Sequence, residues 1–250
     1  MYKTLTFLLM ICIGCTAQTT SNSNVHILGG TKIKVIAHNG DENSNILFFN
    51  MHENETTSIE ALKSYSDDFA INFIYLMHDG ERRISFIEAG KKHSIDPNRI
   101  FTQKGRKATL ETGGNYSKKA ESLVAEFSDF LLMKIDKSEF IIAMHNNTPD
   151  EYSINSYRSE GSEAQNTEKL YINPEMDPDD FIYTTDEGIY QQLVNQKINV
   201  ILQDNKNFVD DGSLSVYCGQ NNIKYVNIET QEGHLAAQIR LMELILSIAE

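Results

Sequence analysis

The chain has 250 residues, 40% of them hydrophobic, and a formal net charge of -13. This length and apolar content predict one globular domain with a full hydrophobic core. A nucleic-acid partner is excluded, because a phosphate backbone requires a basic face and the 22 Lys and Arg residues form no dense block.

The first 17 residues predict a secretory signal peptide. An apolar run from Leu5 to Cys15 follows one lysine and is too short to span a membrane. Two cleavage sites remain open. Gly14-Cys15 is typical of a bacterial lipoprotein, with Cys15 carrying the lipid, whereas Thr16-Ala17-Gln18 suits an ordinary signal peptidase. We therefore expect an exported protein, periplasmic or anchored to the outer membrane through Cys15, with no other membrane contact.

The cysteines predict no disulfide framework. Cys12 and Cys15 have the CxxC spacing of redox and zinc motifs, but both lie in the signal sequence. The mature domain, predicted at residues 25–250, then keeps Cys218, and the chain keeps Cys15 only if it is lipidated. The stability of the domain must therefore come from its core.

Apolar, β-branched runs alternate with helical patterns along the rest of the chain. Strands are predicted, in order, at KIKVIAHN (32–39), NILFFNM (45–51), FAINFIYLM (69–77), RRISFI (82–87), EFIIAMH (139–145), INVILQD (198–204) and IKYVNIE (223–229). Helices are predicted at SIEALKSYS (58–66), SKKAESLVAEFSDFLLMKI (117–135), DEGIYQQLVNQ (186–196) and HLAAQIRLMELILSIAE (234–250).

This alternation predicts an α/β fold, a three-layer sandwich around a central mixed β-sheet. The turn signals in AHNGDEN (37–43) and MHDGERR (77–83) predict hairpins that add antiparallel strands. The polar stretch from about Asn146 to Asp179 predicts a long surface loop, and loops of that length in compact domains are often functional.

Two pairs of histidine and glutamate, each three positions apart, are candidates for a metal site. His52 ends a predicted buried strand and Glu55 lies one turn further, so both can reach the point where α/β sheets place ligands. His78 and Glu81 instead flank the turn signal Asp79-Gly80, which places them across an exposed turn. The first pair is therefore the stronger candidate.

A catalytic zinc site needs a third protein ligand. His145 repeats the placement of His52, at the end of the predicted strand EFIIAMH and before the polar NNTP, although a lone histidine there more often makes a structural hydrogen bond. The ordered motifs HENE, DPNRIF, MHNNT and NIET resemble the zinc carboxypeptidase superfamily, especially its succinylglutamate desuccinylase and aspartoacylase branch.

That resemblance implies a role for each motif and a zinc carboxypeptidase-like fold. His52, Glu55 and His145 would bind one zinc ion, and Asn98 with Arg99 would hold the carboxylate of the substrate. The general base would be Glu229. The residues by themselves leave a surface salt bridge open for Arg99 and a solvent-exposed charge open for Glu229.

The resemblance also implies two further substrate contacts. The segment DGSLSVYCGQNNIKYVNIE resembles the carboxypeptidase segment in which Leu214 would line the pocket for the released residue, so a basic released residue should gain nothing there. Lys91 stands where the branch has an arginine that polarises the scissile carbonyl, and Arg82 and Arg83 lie farther upstream. The mobile tyrosine that carboxypeptidases have shortly before the Gly-Ser turn is absent from DNKNFVDDGS.

The residue types suit hydrolysis of an amide bond. We expect an exported zinc hydrolase that acts on a short peptide with a free carboxylate, including a peptide of the cell wall. One alternative is an N-acyl amino acid deacylase. Another is a surface lipoprotein that binds a ligand without turnover, although a binding protein needs no general base such as Glu229.

Overall fold

A computed structural model describes residues 20–149 and 151–249. The strands are β1 (Thr20–Leu28), β2 (Thr31–Asn39), β3 (Ile46–Asn50), β4 (Asn72–Met77), β5 (Ile84–Glu88), β6 (Lys91–Ile95), β7 (Phe140–Asn147), β8 (Thr167–Tyr171), β9 (Phe181–Thr184), β10 (Val200–Gln203) and β11 (Lys224–Gln231). The helices are α1 (Thr56–Asp68), α2 (Gln103–Thr112), α3 (Lys118–Ile135), α4 (Glu187–Asn195), α5 (Leu214–Asn221) and α6 (Leu235–Ala249).

Nine of these strands form one mixed sheet in the order β1-β2-β4-β3-β7-β11-β9-β10-β8. Its centre is parallel, because β3 pairs in parallel with both β4 and β7, and β7 pairs in parallel with β11. Antiparallel strands flank this centre, with β2 against β4 on one side and β9 against β11 on the other. β5 and β6 form a separate antiparallel ribbon.

Helices cover both faces of the sheet. α2, α3 and α5 pack on one face together with the β5–β6 ribbon, and α1, α4 and α6 pack on the other. Each face has its own apolar core, in which Phe127 of α3 and Leu241 of α6 are fully buried. The predicted α/β three-layer sandwich with a central mixed sheet is therefore confirmed.

The pleat of the central strands decides which face receives the polar residues at their ends. In β7, Ile141 and Ala143 belong to the core under α3, whereas Ile142 and Met144 belong to the core under α6. Successive side chains of a strand point to opposite faces. His145 therefore lies on the α3 side, at the carboxyl end of the strand.

Both predicted hairpins are wrong. β2 and β3 are not neighbours, because β4 lies between them in the sheet. The turn at residues 77–83 leaves the main sheet and leads into the β5–β6 ribbon. Tertiary pairing overrides the local turn signal in both places. The sequence patterns did not predict six of the elements, because these are short, polar or irregular in pattern. They are strands β1, β6, β8 and β9 and helices α2 and α5.

The predicted signal peptide, with Cys12 and Cys15, lies outside the described residues. β1 begins at Thr20, before the predicted domain start at residue 25. Among the described helices, none has the length and apolar character needed to cross a membrane. Cys218 is a buried free thiol, and burial raises the pKa of this thiol.

Candidate metal centre and substrate cavity

His52, Glu55 and His145 converge at the carboxyl ends of β3 and β7. His52 Nδ1 lies 2.8 Å from Glu55 Oε1, and His145 Nδ1 lies 2.8 Å from Glu55 Oε2. The two Nδ1 atoms are 3.2 Å apart. All three side chains are buried and could hold a metal ion between them.

The way the chain folds locally explains this convergence. His52 follows the end of β3, and the backbone turns so that the Glu55 amide donates to the His52 carbonyl at 3.1 Å. Glu55 then caps α1 without a hydrogen bond from its side chain to the helix backbone, which leaves its carboxylate for the two histidines.

The donor set fits zinc, because two neutral imidazoles and one carboxylate are ligands that catalytic zinc uses. Tetrahedral ligands at about 2.05 Å from the ion lie about 3.3 Å apart, which matches the 3.2 Å between the two Nδ1 atoms, whereas the Glu55 oxygens lie at hydrogen-bond distance from the imidazoles. Asp96 Oδ1 accepts a hydrogen bond from His52 Nε2 at 2.8 Å. That bond places the imidazole proton on Nε2 and directs the Nδ1 lone pair toward Glu55 and His145.

Charges within this cluster are strongly coupled. Burial lowers the pKa of His52, but the carboxylates of Glu55 and Asp96 outweigh it and raise that pKa to about 9. Burial opposes the ionised form of Glu55 as well, yet His52 and His145 hold the pKa of Glu55 well below its usual range. Without a metal, a proton on His52 balances the buried carboxylates.

Glu229 lies beside the metal ligands on β11. It pairs directly with His145 of β7 across the parallel ladder. Its side chain is buried, and Asn227 Nδ2 donates to its Oε1 at 3.0 Å. Burial raises the pKa of Glu229. This shift moves the carboxylate toward the range in which it can both accept and return a proton near neutral pH.

Asn98 and Arg99 occupy a short 3-10 turn at residues 97–99 that faces the metal ligands. Asp96 caps the turn by accepting from the Asn98 amide at 2.8 Å, so one carboxylate orients both His52 and the turn. Asn98 Nδ2 lies 3.4 Å from His145 Nε2. Arg99 Nη1 contacts the Asn98 carbonyl at 3.0 Å and Asp211 Oδ2 at 3.3 Å.

Two glycines that the sequence reasoning missed hold this turn in place. Gly212 has a φ of +80°, and a Cβ there would meet the Arg99 carbonyl oxygen at 2.6 Å and Gly105 Cα at 2.5 Å. The Gly212 carbonyl also accepts from the Phe101 amide at 2.9 Å. Only glycine, which has no Cβ, allows α2 and the 210–213 segment to approach the turn so closely.

Arg82, rather than Lys91, lies at the candidate metal centre. Lys91 is the exposed first residue of β6, paired with Glu88 and away from the cavity. Arg82 Nη1 donates to Glu55 Oε1, and Arg82 Nη2 lies 3.6 Å from Asp96 Oδ2. The turn before β5 therefore brings an arginine to the candidate metal ligands, from nine positions before Lys91 in the chain.

Leu214 does not line the cavity. It is fully buried in the core under α3, and Asn98 Oδ1 accepts its backbone amide at 3.0 Å. Ser213, Ser215 and Val216 stand in the cavity wall instead. The helical rotation at the start of α5 explains the difference, because it turns the side chain of Leu214 inward.

A cavity of about 470 Å³ opens beside the metal ligands and reaches from Arg82 past Arg99 to a group of tyrosines. Tyr152 and Tyr157 enter it from the 148–166 segment, not from the residues before Gly212. Part of the polar stretch predicted as a surface loop therefore forms a wall of the cavity. Its middle also contains β8, which pairs with β10.

The second candidate pair, His78 and Glu81, is not among the groups of described residues that could hold a metal ion, as the exposed turn predicted. His78 instead groups with Glu53 and Asp79, a set that could hold a metal ion. Glu53 Oε2 already accepts the His78 amide and, at 2.8 Å, the Gly80 amide, and Asp79 is exposed. Glu53 thus anchors the turn that carries Arg82.

No family model and no curated protein matches the chain. Solved structures that match include a succinylglutamate desuccinylase from Chromobacterium violaceum, at 13% identity and a TM-score of 0.48 over 90% of this chain and 71% of that one. An aspartoacylase family protein from Mesorhizobium loti matches at 13% identity and a TM-score of 0.49 over 94% and 68%. The murein-tripeptide amidase MpaA from Escherichia coli O157 matches at 13% identity and a TM-score of 0.45 over 89% and 91%.

Proposed function

We propose that this protein is a zinc-dependent hydrolase that cleaves an amide bond next to a free carboxylate in a short peptide. The observation that carries this proposal is the placement of Glu229 on the strand beside His145, next to a group of three donor atoms that could hold a metal ion, with two arginines in the wall of the same cavity. A metal site that only stabilises the fold would need neither a buried carboxylate at its side nor an open cavity.

His52, Glu55 and His145 would hold the zinc ion, and Asp96 would keep His52 in the tautomer that binds it. Bound there, zinc would polarise a carbonyl oxygen and lower the pKa of a water molecule toward about 7. Glu229 accepts a proton from the attacking water and returns it to the leaving nitrogen.

Arg99 orients the substrate. Its contacts with Asn98 and Asp211 both use Nη1, which leaves Nη2 and Nε for a carboxylate in the paired geometry that guanidinium favours. Arg82 contacts Glu55 Oε1 and lies 3.6 Å from Asp96 Oδ2. Its guanidinium can donate to the carbonyl oxygen as negative charge develops there.

We further propose that the protein acts after export, as the N-terminal signal sequence predicts, with a lipid at Cys15 as its one membrane contact. Peptides of the cell wall are substrates that this compartment would offer. The two alternatives, an N-acyl amino acid deacylase and a binding lipoprotein, differ from the proposal in substrate size and in turnover.

The test combines metal content with activity. Protein purified without chelator should contain about one zinc ion per chain, and it should hydrolyse some members of a panel of peptides, muropeptides and N-acyl amino acids. Removal of zinc should abolish that activity, and added zinc should restore it. Stoichiometric zinc without hydrolysis of any panel member would favour the binding protein.

A further inference from the structure

The part of the cavity beyond Arg99 is built from tyrosines. Tyr225 and Asn227 precede Glu229 on the same face of β11, roughly 13 Å and 7 Å from it along the strand. Tyr183 pairs with Asn227 from β9, and paired side chains share a face. Tyr157 lies 5.4 Å from Tyr183 between ring centroids. We call Tyr152, Tyr157, Tyr183 and Tyr225 the tyrosine pocket.

The tyrosine pocket offers neutral rings. Burial raises the pKa of Tyr152, Tyr157 and Tyr183 well above the ordinary value, so these phenols keep their protons. The hydroxyls of Tyr152 and Tyr157 bond to each other, and the Tyr183 hydroxyl donates to Gln203 at 3.0 Å. Uncharged aromatic rings of this kind attract a nearby cation.

Glu163 adds a carboxylate to this wall. It is half-buried, lines the cavity, and lies close enough to influence the pKa of Tyr152, Tyr157 and Tyr183. Asn166 Nδ2 donates to one of its oxygens at 2.8 Å. Within residues 20–149 and 151–249, no Lys, Arg or His forms an ion pair with it.

Other acceptors face the same cavity without a donor. The Asn227 side-chain oxygen is buried and lacks a hydrogen-bond partner within the described residues. The cavity wall has more acids than bases. Its bases are Arg82, Arg99 and the candidate metal ligand His145, and its acids are Glu55, Glu151, Glu163, Asp211, Glu229 and Glu232. The bases lie where we place the scissile bond and the carboxylate. The wall thus favours a ligand group that donates hydrogen bonds and carries positive charge.

We propose that the tyrosine pocket and Glu163 recognise a cationic side chain on the residue that the enzyme releases, as in a diamino acid. This inference rests on the proposed function, because an amino acid whose carboxylate meets Arg99 then directs its side chain toward the tyrosines. It replaces the expectation, drawn from the apolar Leu214, that a basic released residue would be bound no more tightly than an apolar one.

The first test measures binding and does not depend on turnover. Lysine and norleucine, each as L and D enantiomers, are titrated into the purified full chain by calorimetry, with phenylalanine as the aromatic probe. Lysine should bind about tenfold more tightly than norleucine, which has the same length without the ammonium group. The preference should shrink as salt rises.

Glu163→Gln keeps the contact with Asn166 and should remove most of the lysine preference. Glu160→Gln removes an exposed carboxylate from the same segment, outside the cavity, and should leave the preference unchanged. Equal binding of lysine and norleucine, tighter binding of phenylalanine, or no binding of any of them would overturn the proposal. So would a lysine preference that survives in Glu163→Gln.

The second test compares hydrolysis of Ala-Lys and Ala-norleucine, for which we expect a ratio of about ten in kcat/KM. Hydrolysis without that ratio would remove the pocket proposal and leave the hydrolase intact. If lysine binding depends on Glu163 but the protein hydrolyses nothing, the tyrosine pocket would be supported as a binding site and the proposed hydrolase activity would be ruled out.

Discussion

Glu229 and His145 are paired residues of the adjacent parallel strands β11 and β7, and their side chains lie on the same face of the sheet. The candidate base is thus held beside a candidate metal ligand by the backbone ladder in the centre of the sheet. Helices cover both faces of the sheet that carries these strands. The separation of the two groups is therefore built into the fold.

The metal assignment predicts different outcomes for two histidines. His145→Ala removes one of three donor atoms, so zinc affinity should fall by at least about 100-fold. His78→Ala removes a donor of the Glu53, His78 and Asp79 group and should keep about one zinc per chain. Metal analysis after dialysis against a weak chelator checks both. Zinc that stays with His145→Ala and leaves His78→Ala would show that the ion binds at the second group.

Glu229→Gln should separate metal binding from catalysis. The substitution preserves the shape of the side chain and the bond from Asn227, but it removes the proton acceptor, so kcat should fall by ~10² or more while zinc remains. Glu232→Gln makes the same change at the exposed rim of the cavity and should keep nearly full kcat. An unchanged kcat in Glu229→Gln would rule out this residue as the base.

The parts of the site that sequence reasoning reached lie on regular structure. His52 and His145 follow apolar runs that had to be buried strands, and carboxyl ends of neighbouring parallel strands meet at one edge of the sheet. Glu55 and Glu229 sit at fixed short offsets from the same runs. Their convergence follows from strand order, which the alternation of strands and helices already restricts.

The parts that sequence reasoning missed depend on loop conformation. Arg82 reaches Glu55 because Glu53 anchors the turn at residues 78–80, a contact between segments about 25 residues apart. Tyr157 reaches the cavity from a segment with no regular pattern. Leu214 was misplaced because the start of α5 was not predicted, and one residue of helical rotation decides whether a side chain faces the core or the cavity.

The buried charges predict that the stability of the metal-free protein and the stabilisation added by zinc change with pH in opposite directions. In the metal-free protein, the pKa of His52 rises from 6.5 to about 9. Its protonation therefore contributes fully to the free energy of unfolding below pH 6.5, and this contribution is lost as pH rises through 9. Tm of the metal-free protein should fall across that window.

Zinc competes with the same proton, so its affinity should rise with pH up to about 9 and then level off. The increase in Tm that zinc causes should grow between pH 6.5 and 8.5. His52→Gln serves as the control, since the variant lacks the imidazole whose protonation stabilises the metal-free protein in this window. If Tm of the metal-free wild type is flat while Tm of the variant falls, another group is responsible.

Gly212→Ala should disturb the turn that carries Arg99. The new Cβ would clash with the Arg99 carbonyl and Gly105, in addition to the strain of a positive φ. Gly233→Ala is a matched control, because its φ is +88° and a Cβ there meets no atom within 4 Å. Denaturant unfolding should show Gly212→Ala to be less stable than Gly233→Ala by at least about 1 kcal/mol. Equal losses would mean that the close approach adapts to a methyl group.

The role of Arg99 separates a hydrolase that reads a free carboxylate from a general endopeptidase. Two substrates are compared that differ only in whether the carboxylate beyond the scissile bond is free or amidated. Amidation removes a paired, charge-assisted contact and leaves the guanidinium unsatisfied, so kcat/KM should fall by an amount equivalent to about 2 to 4 kcal/mol. Arg99→Lys should lose most of this discrimination, because an ammonium keeps the charge without the planar fork.

Arg158→Lys changes an exposed arginine outside the cavity and should keep the discrimination in full. Equal kcat/KM values for the two substrates in the wild type would show that Arg99 does not read the carboxylate, and the endopeptidase would then be the better description of the site.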